Sequence, residues 1–173
     1  MTRQTDFFTI GHSNHPIGRF VELLRHNGVT ALADVRTVPH SRWVPHFGKA
    51  ALERQLREAD IAYIFMGDQL GGRPRDKSLW RGQHVDYDLV AATAAFNLGL
   101  DDVMSASARG RLALMCAERD PLQCHRFLLV ARQLARRGAL IEHILADGRR
   151  ESQAETERRA ANLAGGAEPR LPL

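Results

Sequence analysis

The sequence predicts an α/β domain in which a mostly parallel sheet lies between two layers of helices. Short apolar segments with the pattern of buried strands alternate along the chain with longer segments of helical periodicity. This alternation is typical of strand–helix–strand units, whose right-handed crossovers place helices on both faces of a three-layer fold. A length of 173 residues suits one such domain. We expect the domain to occupy residues 1–148, followed by an Arg- and Glu-rich helix or tail over residues 149–173.

The first strand and helix are marked by an apolar run and a proline. Residues 7–10 are typical of a short buried strand. Pro16 suits the first position of a helix, where its missing N–H removes no hydrogen bond, and Gly28 marks the end of that helix. Residues 30–35 predict a second strand, and a proline-containing loop follows over residues 36–47.

The middle of the chain continues the alternation. Residues 48–59 carry leucines on one helical face and predict a second helix, and residues 61–66 predict a third strand. A Gly- and Arg-rich loop follows over residues 70–74. The pattern over residues 86–109 is helical, and we expect two helices there that are separated near Gly99.

The last part of the domain is predicted to add two strands and a long helix. Residues 111–116 predict the fourth strand, and residues 139–145 predict the fifth. Between them we expect one long helix from Asp120 to Gly138. Asp120 has the position of its N-cap, and Gln123, three residues later, is placed to reach back to it.

Reactive and ionisable side chains are concentrated at one edge of the predicted sheet. In open α/β sheets, ligands bind beyond the carboxyl ends of the strands. The turns that follow the first four strands hold such groups, whereas the turns at the opposite ends, at Gly28, Asp60, Gly110 and Gly138, hold few. The candidate catalytic residues at this edge are His12, Ser13, Asp34, Cys116, Glu118 and His125. The candidate ligand-binding residues are Arg36, Ser41, Arg42, Gly71, Gly72, Asp120, Cys124 and Arg126.

Several of these stretches also occur in a known family. They are Thr9-Ile10-Gly11-His12-Ser13, Asp34-Val35-Arg36 with Pro39 and Ser41-Arg42, Leu70-Gly71-Gly72, and the run from Cys116 to Arg126. On these residues the chain resembles the domain of unknown function 488 family, over about residues 9–145. The resemblance implies a Rossmann-like α/β fold and points to the same clustered positions. It implies no particular reaction.

An anion site is one interpretation of the turn after the fourth strand. Free N–H groups at the start of the helix near Asp120 favour a phosphate or carboxylate. Arg126, together with Arg36 and Arg42 from the second loop, could clamp this anion. The alternative is that Asp120 only caps the helix and that Arg126 pairs with a nearby carboxylate.

The two cysteines leave alternatives open. Cys116 ends a strand shortly before a helix, where a thiolate can be stabilised, and His125 could act as its base; the alternative is a buried, unreactive Cys116. With His12 and Cys124 these residues could also bind a metal. However, the Cys-x7-Cys-His spacing matches no standard zinc pattern, and adjacent residues project about 100° apart on a helix. We therefore expect no metal site, a core position for Cys124 and no disulfide framework.

The turn after the first strand has the position of a serine-hydrolase nucleophile. Ser13, Asp34 and His125 even follow the chain order of one hydrolase triad. His15 stands where the nucleophile turn needs glycine, so a helix cap before Pro16 is the simpler interpretation. The chain has neither the Walker nor the dinucleotide-binding glycine pattern, which argues against ordinary nucleotide-fold cofactors.

Charge and hydropathy indicate the class of partner. The formal net charge is +4, and arginine is in excess over residues 36–81, which favours an anionic ligand. No apolar run is long enough to cross a bilayer, and no secretory signal opens the chain, so we expect a cytoplasmic protein without a membrane partner. The cofactor and the oligomeric state stay open.

The leading hypothesis is an enzyme that acts on a phosphorylated or nucleotide-like small molecule at the carboxyl edge of the sheet. In this hypothesis the arginines hold the anion, and His12 or His125 transfers a proton while Asp34 orients one of them. The alternative is a non-catalytic module that binds nucleic acid or a protein through the arginine-rich surface of residues 36–81, where Trp43 adds an aromatic ring.

Overall fold

A computed structural model of the chain describes residues 5–165, which form a central sheet between two layers of helices. The strands are β1 (Phe7–Gly11), β2 (Ala31–Asp34), β3 (Ala62–Phe65), β4 (Trp80–Arg81), β5 (His84–Val85), β6 (Leu112–Cys116), β7 (Ile141–Ile144) and β8 (Arg150–Ser152). The sheet order is β3-β2-β6-β1-β7-β8, while β4 and β5 form a separate hairpin. Only β8 runs antiparallel to its neighbour in the large sheet. The predicted three-layer, mostly parallel α/β fold is therefore confirmed.

The helices cover both faces of this sheet. They are α1 (Ile17–His26), α2 (Lys49–Glu58), α3 (Gly67–Leu70), α4 (Tyr87–Ala91), α5 (Ala94–Ser107), α6 (Arg132–Arg136) and α7 (Gln153–Leu163). Short 3₁₀ turns occur at Pro45–Phe47, Lys77–Leu79 and Pro121–Gln123, and a π-helical turn at Arg126–Ala131 leads into α6. Within the described part of the chain, no helix combines the length and the apolar character that crossing a membrane requires.

The two faces of the sheet bury two separate apolar clusters. Successive side chains of a strand point to opposite faces. In β1, Phe8 and Ile10 belong to one cluster, together with Leu24 of α1 and Leu56 of α2. Phe7 of the same strand packs in the cluster on the other face, which includes residues of α5 and α6. Both faces of β1 are covered, which explains why its sequence does not alternate between apolar and polar residues. Its one polar side chain, Thr9, is buried and hydrogen-bonded to His143.

The predicted break at Gly99 is wrong. The helical region is interrupted at Ala92 and Thr93 instead, where the Thr93 side chain accepts a hydrogen bond from the Phe96 N–H and caps α5. Gly99 lies inside α5 and is buried. A Cβ atom at this position would come within 2.8 Å of Gln69 Cβ and 2.9 Å of Leu70 Cδ2, so this glycine permits close packing of α5 on α3.

The single long helix predicted from Asp120 to Gly138 is also wrong. The region forms a 3₁₀ turn, an extended residue at Cys124 (φ −132°, ψ 139°), the π-helical turn and then α6. Asp120 caps as predicted, because its Oδ1 accepts from the Leu122 N–H at 3.0 Å. At Gln123 the hydrogen bond to Asp120 comes from the backbone N–H rather than from the side chain.

The region predicted as a C-terminal helix or tail forms a helix within the described residues and also adds a strand that the sequence does not predict. β8 extends the sheet next to β7, and Ser152 then caps α7 in a reciprocal capping box with Glu155. Residues 166–173 of the predicted tail lie outside the described residues. The proposed boundary at residue 148 stays a prediction.

Candidate functional site

A cavity of about 440 Å³ lies at the carboxyl edge of the sheet. Its walls come from the segments that follow β1, β2, α3 and β6, together with the first residue of α4. This is where the topology of an open α/β sheet places a ligand. The residues that line the cavity are His12, Arg36, Thr37, Val38, His40, Ser41, Gly72, Arg73, Tyr87, Cys116, Ala117, Glu118, Gln123 and His125.

The structure brings half of the candidate site residues together around this cavity. Those that line it are His12, Arg36, Ser41, Gly72, Cys116, Glu118 and His125. The others, Ser13, Asp34, Arg42, Gly71, Asp120, Cys124 and Arg126, lie beneath or beside it. The second group is not uniform, because Asp34, Cys124 and Arg126 are buried directly behind the wall, whereas Arg42 is exposed.

Three ionisable lining residues were not selected from the sequence. His40 and Arg73 directly adjoin the candidates Ser41 and Gly72, so the sequence predicts their loops but not the residues themselves. Tyr87 begins α4 after the hairpin, and no strand of the large sheet precedes it directly. Its place on the cavity depends on how α4 packs, which the local sequence does not signal.

Asp34 and Arg36 form a buried ion pair behind the cavity. The guanidinium donates to both carboxylate oxygens, from Nε to Oδ1 at 2.8 Å and from Nη2 to Oδ2 at 2.6 Å. Tyr63 donates its hydroxyl to Oδ2 at 2.7 Å. Burial, followed by the adjacent Asp34 carboxylate, raises the pKa of Tyr63, so this hydroxyl stays a donor. Asp34 therefore orients Arg36, and it makes no hydrogen bond to His12 or His125 within residues 5–165.

His12 lies in the wall with both ring nitrogens occupied. Nδ1 is 2.8 Å from the Ser13 carbonyl, and Nε2 is 3.2 Å from Nη1 of Arg36. A carbonyl can only accept and a guanidinium can only donate, so Nδ1 carries the proton and Nε2 accepts. Burial lowers the pKa of His12 from 6.5 to about 4. The ring, stacked on Phe47 at 4.4 Å between centroids, is therefore neutral at pH 7.

His125 also lines the cavity, and a backbone carbonyl fixes one of its ring nitrogens. Nε2 is 2.9 Å from the Val35 carbonyl, which fixes the proton on Nε2. Burial also lowers the pKa of His125. Its Nδ1 therefore carries a lone pair and lies 3.9 Å from Cys124 Sγ. A Cβ at Gly72 would approach His125 Cγ to 2.6 Å, so a glycine is needed where this loop crosses the ring.

Arg126 is fully buried under the loop that follows β6. Its Nη1 donates to the Glu118 carbonyl at 2.7 Å and its Nη2 to the Arg119 carbonyl at 3.4 Å, while Nε donates to Thr9 Oγ1 at 3.3 Å. Burial lowers the pKa of Arg126 to about 10, which leaves it charged at neutral pH. Within the described residues it makes no ion pair with a carboxylate. Its contacts hold the backbone of the cavity wall.

The two cysteines form a disulfide, which corrects the expectation that the chain has none. The reason is that Cys124 has extended backbone angles and is not part of a helix. Its side chain therefore reaches the end of β6. Both cysteines are buried, as the unreactive interpretation expected, but Cys116 also lines the cavity. The carboxylate of Glu118 contacts Cys116 Sγ.

Asp120 connects the loop after β6 to the C-terminal helix. Arg159 of α7 donates from Nη1 and Nη2 to both Asp120 oxygens, at 2.9 and 3.0 Å, and also binds Glu151. Burial raises the pKa of Asp120, but the hydrogen bonds from Arg159 and the Leu122 N–H, together with the nearby arginine charges, lower the pKa overall. The carboxylate thus satisfies both the 3₁₀ turn and α7.

Ser13 has the left-handed backbone of a tight turn, with φ of 46°. Its Oγ donates to Asn14 Oδ1 at 3.3 Å. Among residues 5–165, no histidine is hydrogen-bonded to this hydroxyl, and Asp34 is occupied by Arg36 and Tyr63. The geometry does not assemble Ser13, Asp34 and His125 into a triad.

One comparison with known proteins identifies a family. The family model described as Domain of unknown function DUF488 matches residues 16–133, which is more than half of the chain. No curated protein and no solved structure gives a significant match. The match includes the segments after β2, α3 and β6 that form most of the cavity wall. The chain therefore belongs to the DUF488 family of domains of unknown function.

Proposed function

We propose that the chain is an enzyme that acts on a phosphorylated or nucleotide-like small molecule in the cavity at the carboxyl edge of the sheet. The observation that supports this proposal is the composition of the cavity wall, which combines cationic side chains with a single carboxylate. A volume of about 440 Å³ is in the range of small-molecule sites.

The two arginines of the cavity wall differ in how they are held. Asp34 holds Arg36 through two of its nitrogens, and the third, Nη1, lies 3.2 Å from His12 Nε2. Arg73 is exposed, and no carboxylate within residues 5–165 forms a salt bridge with it. A preset guanidinium and an unpaired one together suit a phosphate group.

The proposal assigns proton transfer to Glu118 rather than to His12. The ring nitrogens of His12 are engaged by Ser13 and Arg36, so its lone pair is not available. Glu118 is exposed to the cavity, and its carboxylate contacts Cys116 Sγ but no cation among the described residues. Arg126, which touches the Glu118 backbone, acts as a positioning residue in this scheme.

The first test is thermal unfolding with inorganic phosphate, sugar phosphates and nucleoside phosphates. A ligand at a hundred times its dissociation constant should stabilise the fold by about 2.7 kcal/mol, a rise in Tm of roughly 5–10 °C for a chain of this size. Arg73→Ala should abolish most of this rise. Arg75→Ala is the matched control, because Arg75 is an exposed arginine in the same loop that does not line the cavity.

The enzymatic part of the proposal is tested with whichever phosphate compound binds. Glu118→Gln should keep the ligand-induced rise in Tm, while conversion of the compound, followed by chromatography, should slow by about 10²–10⁴-fold. If no compound changes Tm, or if Arg75→Ala weakens binding as much as Arg73→Ala, the small-molecule site is wrong. Binding with unchanged turnover in Glu118→Gln removes the proposed role of Glu118.

A second candidate function is supported by one surface feature. Trp43 is 84% exposed, and Arg42 Cζ lies 5.6 Å from its ring centroid. An exposed aromatic next to arginines suits single-stranded nucleic acid. Fluorescence anisotropy with a labelled oligonucleotide tests this function: binding should weaken linearly with salt on a log–log plot and should be lost in Trp43→Ala. The effect of Arg73→Ala on phosphate binding separates the two candidate functions, because only the small-molecule proposal assigns the phosphate to the cavity that Arg73 lines.

A further inference from the structure

We propose that the reduced protein binds a thiophilic divalent metal ion, such as Zn²⁺, through Cys116 Sγ, Cys124 Sγ and His125 Nδ1. The ligand atoms of these three residues all lie within 4.8 Å of one another. Two thiolates and an imidazole are the donor set that such ions prefer. The proposal concerns a site in the cavity wall and is independent of the phosphate ligand.

The helix geometry that argued against this site from the sequence does not apply. Adjacent residues within a helix would point about 100° apart. Cys124 instead has extended backbone angles, φ −132° and ψ 139°, and the π-helical turn begins only at Arg126. This change of backbone allows the side chains of Cys124 and His125 to converge on the end of β6, where Cys116 lies.

His125 is already oriented as a metal ligand. Its Nε2 donates to the Val35 carbonyl at 2.9 Å, which leaves the Nδ1 lone pair on the side of Cys124 Sγ. Histidines that bind metals commonly donate their other ring N–H to a backbone carbonyl or carboxylate, which fixes the tautomer and the ring plane. The close passage of Gly72 over the ring restricts it further.

Two groups of Arg126 are placed to stabilise the thiolates. Its guanidinium Nη1 lies 3.7 Å from Cys116 Sγ, and its backbone N–H donates to Cys124 Sγ at 3.4 Å. A positive charge and an N–H donor both favour the deprotonated sulfur that binds a metal. The proposal therefore assigns a role to the buried Arg126 guanidinium, which has no carboxylate partner in the described residues.

The cavity borders two of the three proposed ligands. Cys116 and His125 both line it, and the Glu118 carboxylate contacts Cys116 Sγ. A water molecule or a ligand in the cavity would complete a tetrahedral site. Three protein ligands with one exchangeable position are typical of catalytic rather than purely structural zinc sites.

The disulfide and the metal complex are alternative states of the same atoms. A dithiol reductant, such as dithiothreitol, supplies two electrons and two protons: the Cys116–Cys124 bond breaks, two thiols form, and the reductant becomes a disulfide. The metal then displaces both thiol protons, so binding releases protons and strengthens as pH rises. Oxidation by a disulfide compound reverses the sequence and expels the ion.

Cobalt substitution tests the proposal on the full chain. The reduced, metal-free protein is titrated with Co²⁺ under anaerobic conditions. We expect thiolate-to-cobalt charge-transfer absorption and tetrahedral d–d bands that saturate at one ion per chain and disappear when Zn²⁺ is added. The oxidised wild-type protein should show neither, and this comparison requires no variant.

Single substitutions identify the ligands. Cys116→Ser and Cys124→Ser should each reduce the charge-transfer intensity and weaken Co²⁺ binding at least tenfold, and His125→Gln should shift the d–d bands. His84→Gln is the matched control, because His84 is exposed in β5 and does not line the cavity. Far-UV circular dichroism monitors folding. Absence of the bands in folded, reduced wild-type protein, bands of equal strength in the oxidised protein, or bands unchanged in both cysteine variants would each overturn the proposal.

Discussion

At the scale of single residues, the buried Arg126 guanidinium organises the candidate site. It lies under the loop that carries Glu118 and Arg119 and donates to both carbonyls. Thr9 extends the network, since its Oγ1 lies 2.7 Å from Nδ1 of the buried His143. A buried charged group is tolerated only when hydrogen-bond partners surround it. The hydrogen bonds of Arg126 therefore connect the backbone of this loop to the buried core.

Replacement of Arg126 by methionine should destabilise the fold by about 3 kcal/mol, because it removes the donors to the part-buried carbonyls of Glu118 and Arg119 and the buried contact with Thr9. Urea denaturation at pH 7 gives the free energy of unfolding. Arg54→Met, at an exposed position in α2, is the control and should change this free energy by less than about 0.5 kcal/mol. If the two variants are equally stable, the buried contacts of Arg126 contribute nothing.

The buried neutral His12 makes stability depend on pH. The pKa of His12 falls from 6.5 to about 4 on folding because of burial, so between these values the unfolded chain binds a proton that the folded chain does not. The free energy of unfolding should therefore decrease as pH falls from 6.5 toward 4. His143, whose pKa burial also lowers to about 4, contributes in the same direction.

Urea denaturation at several pH values between 5 and 6.5 measures this dependence. One such histidine contributes a slope of at most about 1.4 kcal/mol per pH unit, and His12→Asn should remove part of the wild-type slope. His84→Asn should leave the slope unchanged, since the His84 side chain is exposed in the folded state. A His12→Asn variant with the full wild-type slope would contradict this assignment.

At the scale of elements, the glycines in α1 and α5 occupy different packing environments. Gly99 in α5 is required by the close approach of Gln69 and Leu70 of α3. Gly18 in α1 has no atom within 4 Å of the place where a Cβ would lie. From the sequence both are isolated glycines in helical patterns, and a helix break is a reasonable reading of either. Only the packing partner, which is distant in sequence, separates the two cases.

The same substitution at these two glycines should therefore have opposite effects. Gly18→Ala should stabilise the protein by about 0.5 kcal/mol through helix propensity. Gly99→Ala gains the same propensity but forces α5 and α3 apart, and a net loss of about 1–2 kcal/mol is expected. Chemical denaturation of both variants measures the difference. Equal stabilisation would show that α3 yields to the extra methyl group at no cost.

At the scale of the whole molecule, the alternating pattern predicts the five parallel strands of the sheet and the edge that carries the cavity, but not the antiparallel strand β8. Parallel strands align their carboxyl ends. His12 and Cys116, about a hundred residues apart in the chain, are therefore predicted to lie at the same edge of the sheet, and both line the cavity. Pairing inside the cluster could not be predicted. The partner of Asp34 depends on the direction of the Arg36 side chain, and the Cys116–Cys124 bond depends on a non-helical residue inside a helical sequence pattern.

The stability of the whole domain should depend on the oxidation state of its two cysteines. The disulfide joins residues separated by 8 positions, and closing so short a loop restricts the unfolded chain enough to contribute about 2.5 kcal/mol in the chain-entropy account. Reduction in the presence of a metal chelator should lower the free energy of unfolding by about this amount, measured by urea denaturation. The variant with both Cys116→Ser and Cys124→Ser is the control and should not respond to reductant. Adding Zn²⁺ in place of the chelator should restore stability to the reduced wild type but not to the double variant. The reason is that an ion that binds only the folded state replaces the covalent link between β6 and the π-helical turn.

If reduced and oxidised wild type unfold at the same urea concentration without metal, the disulfide does not stabilise this fold.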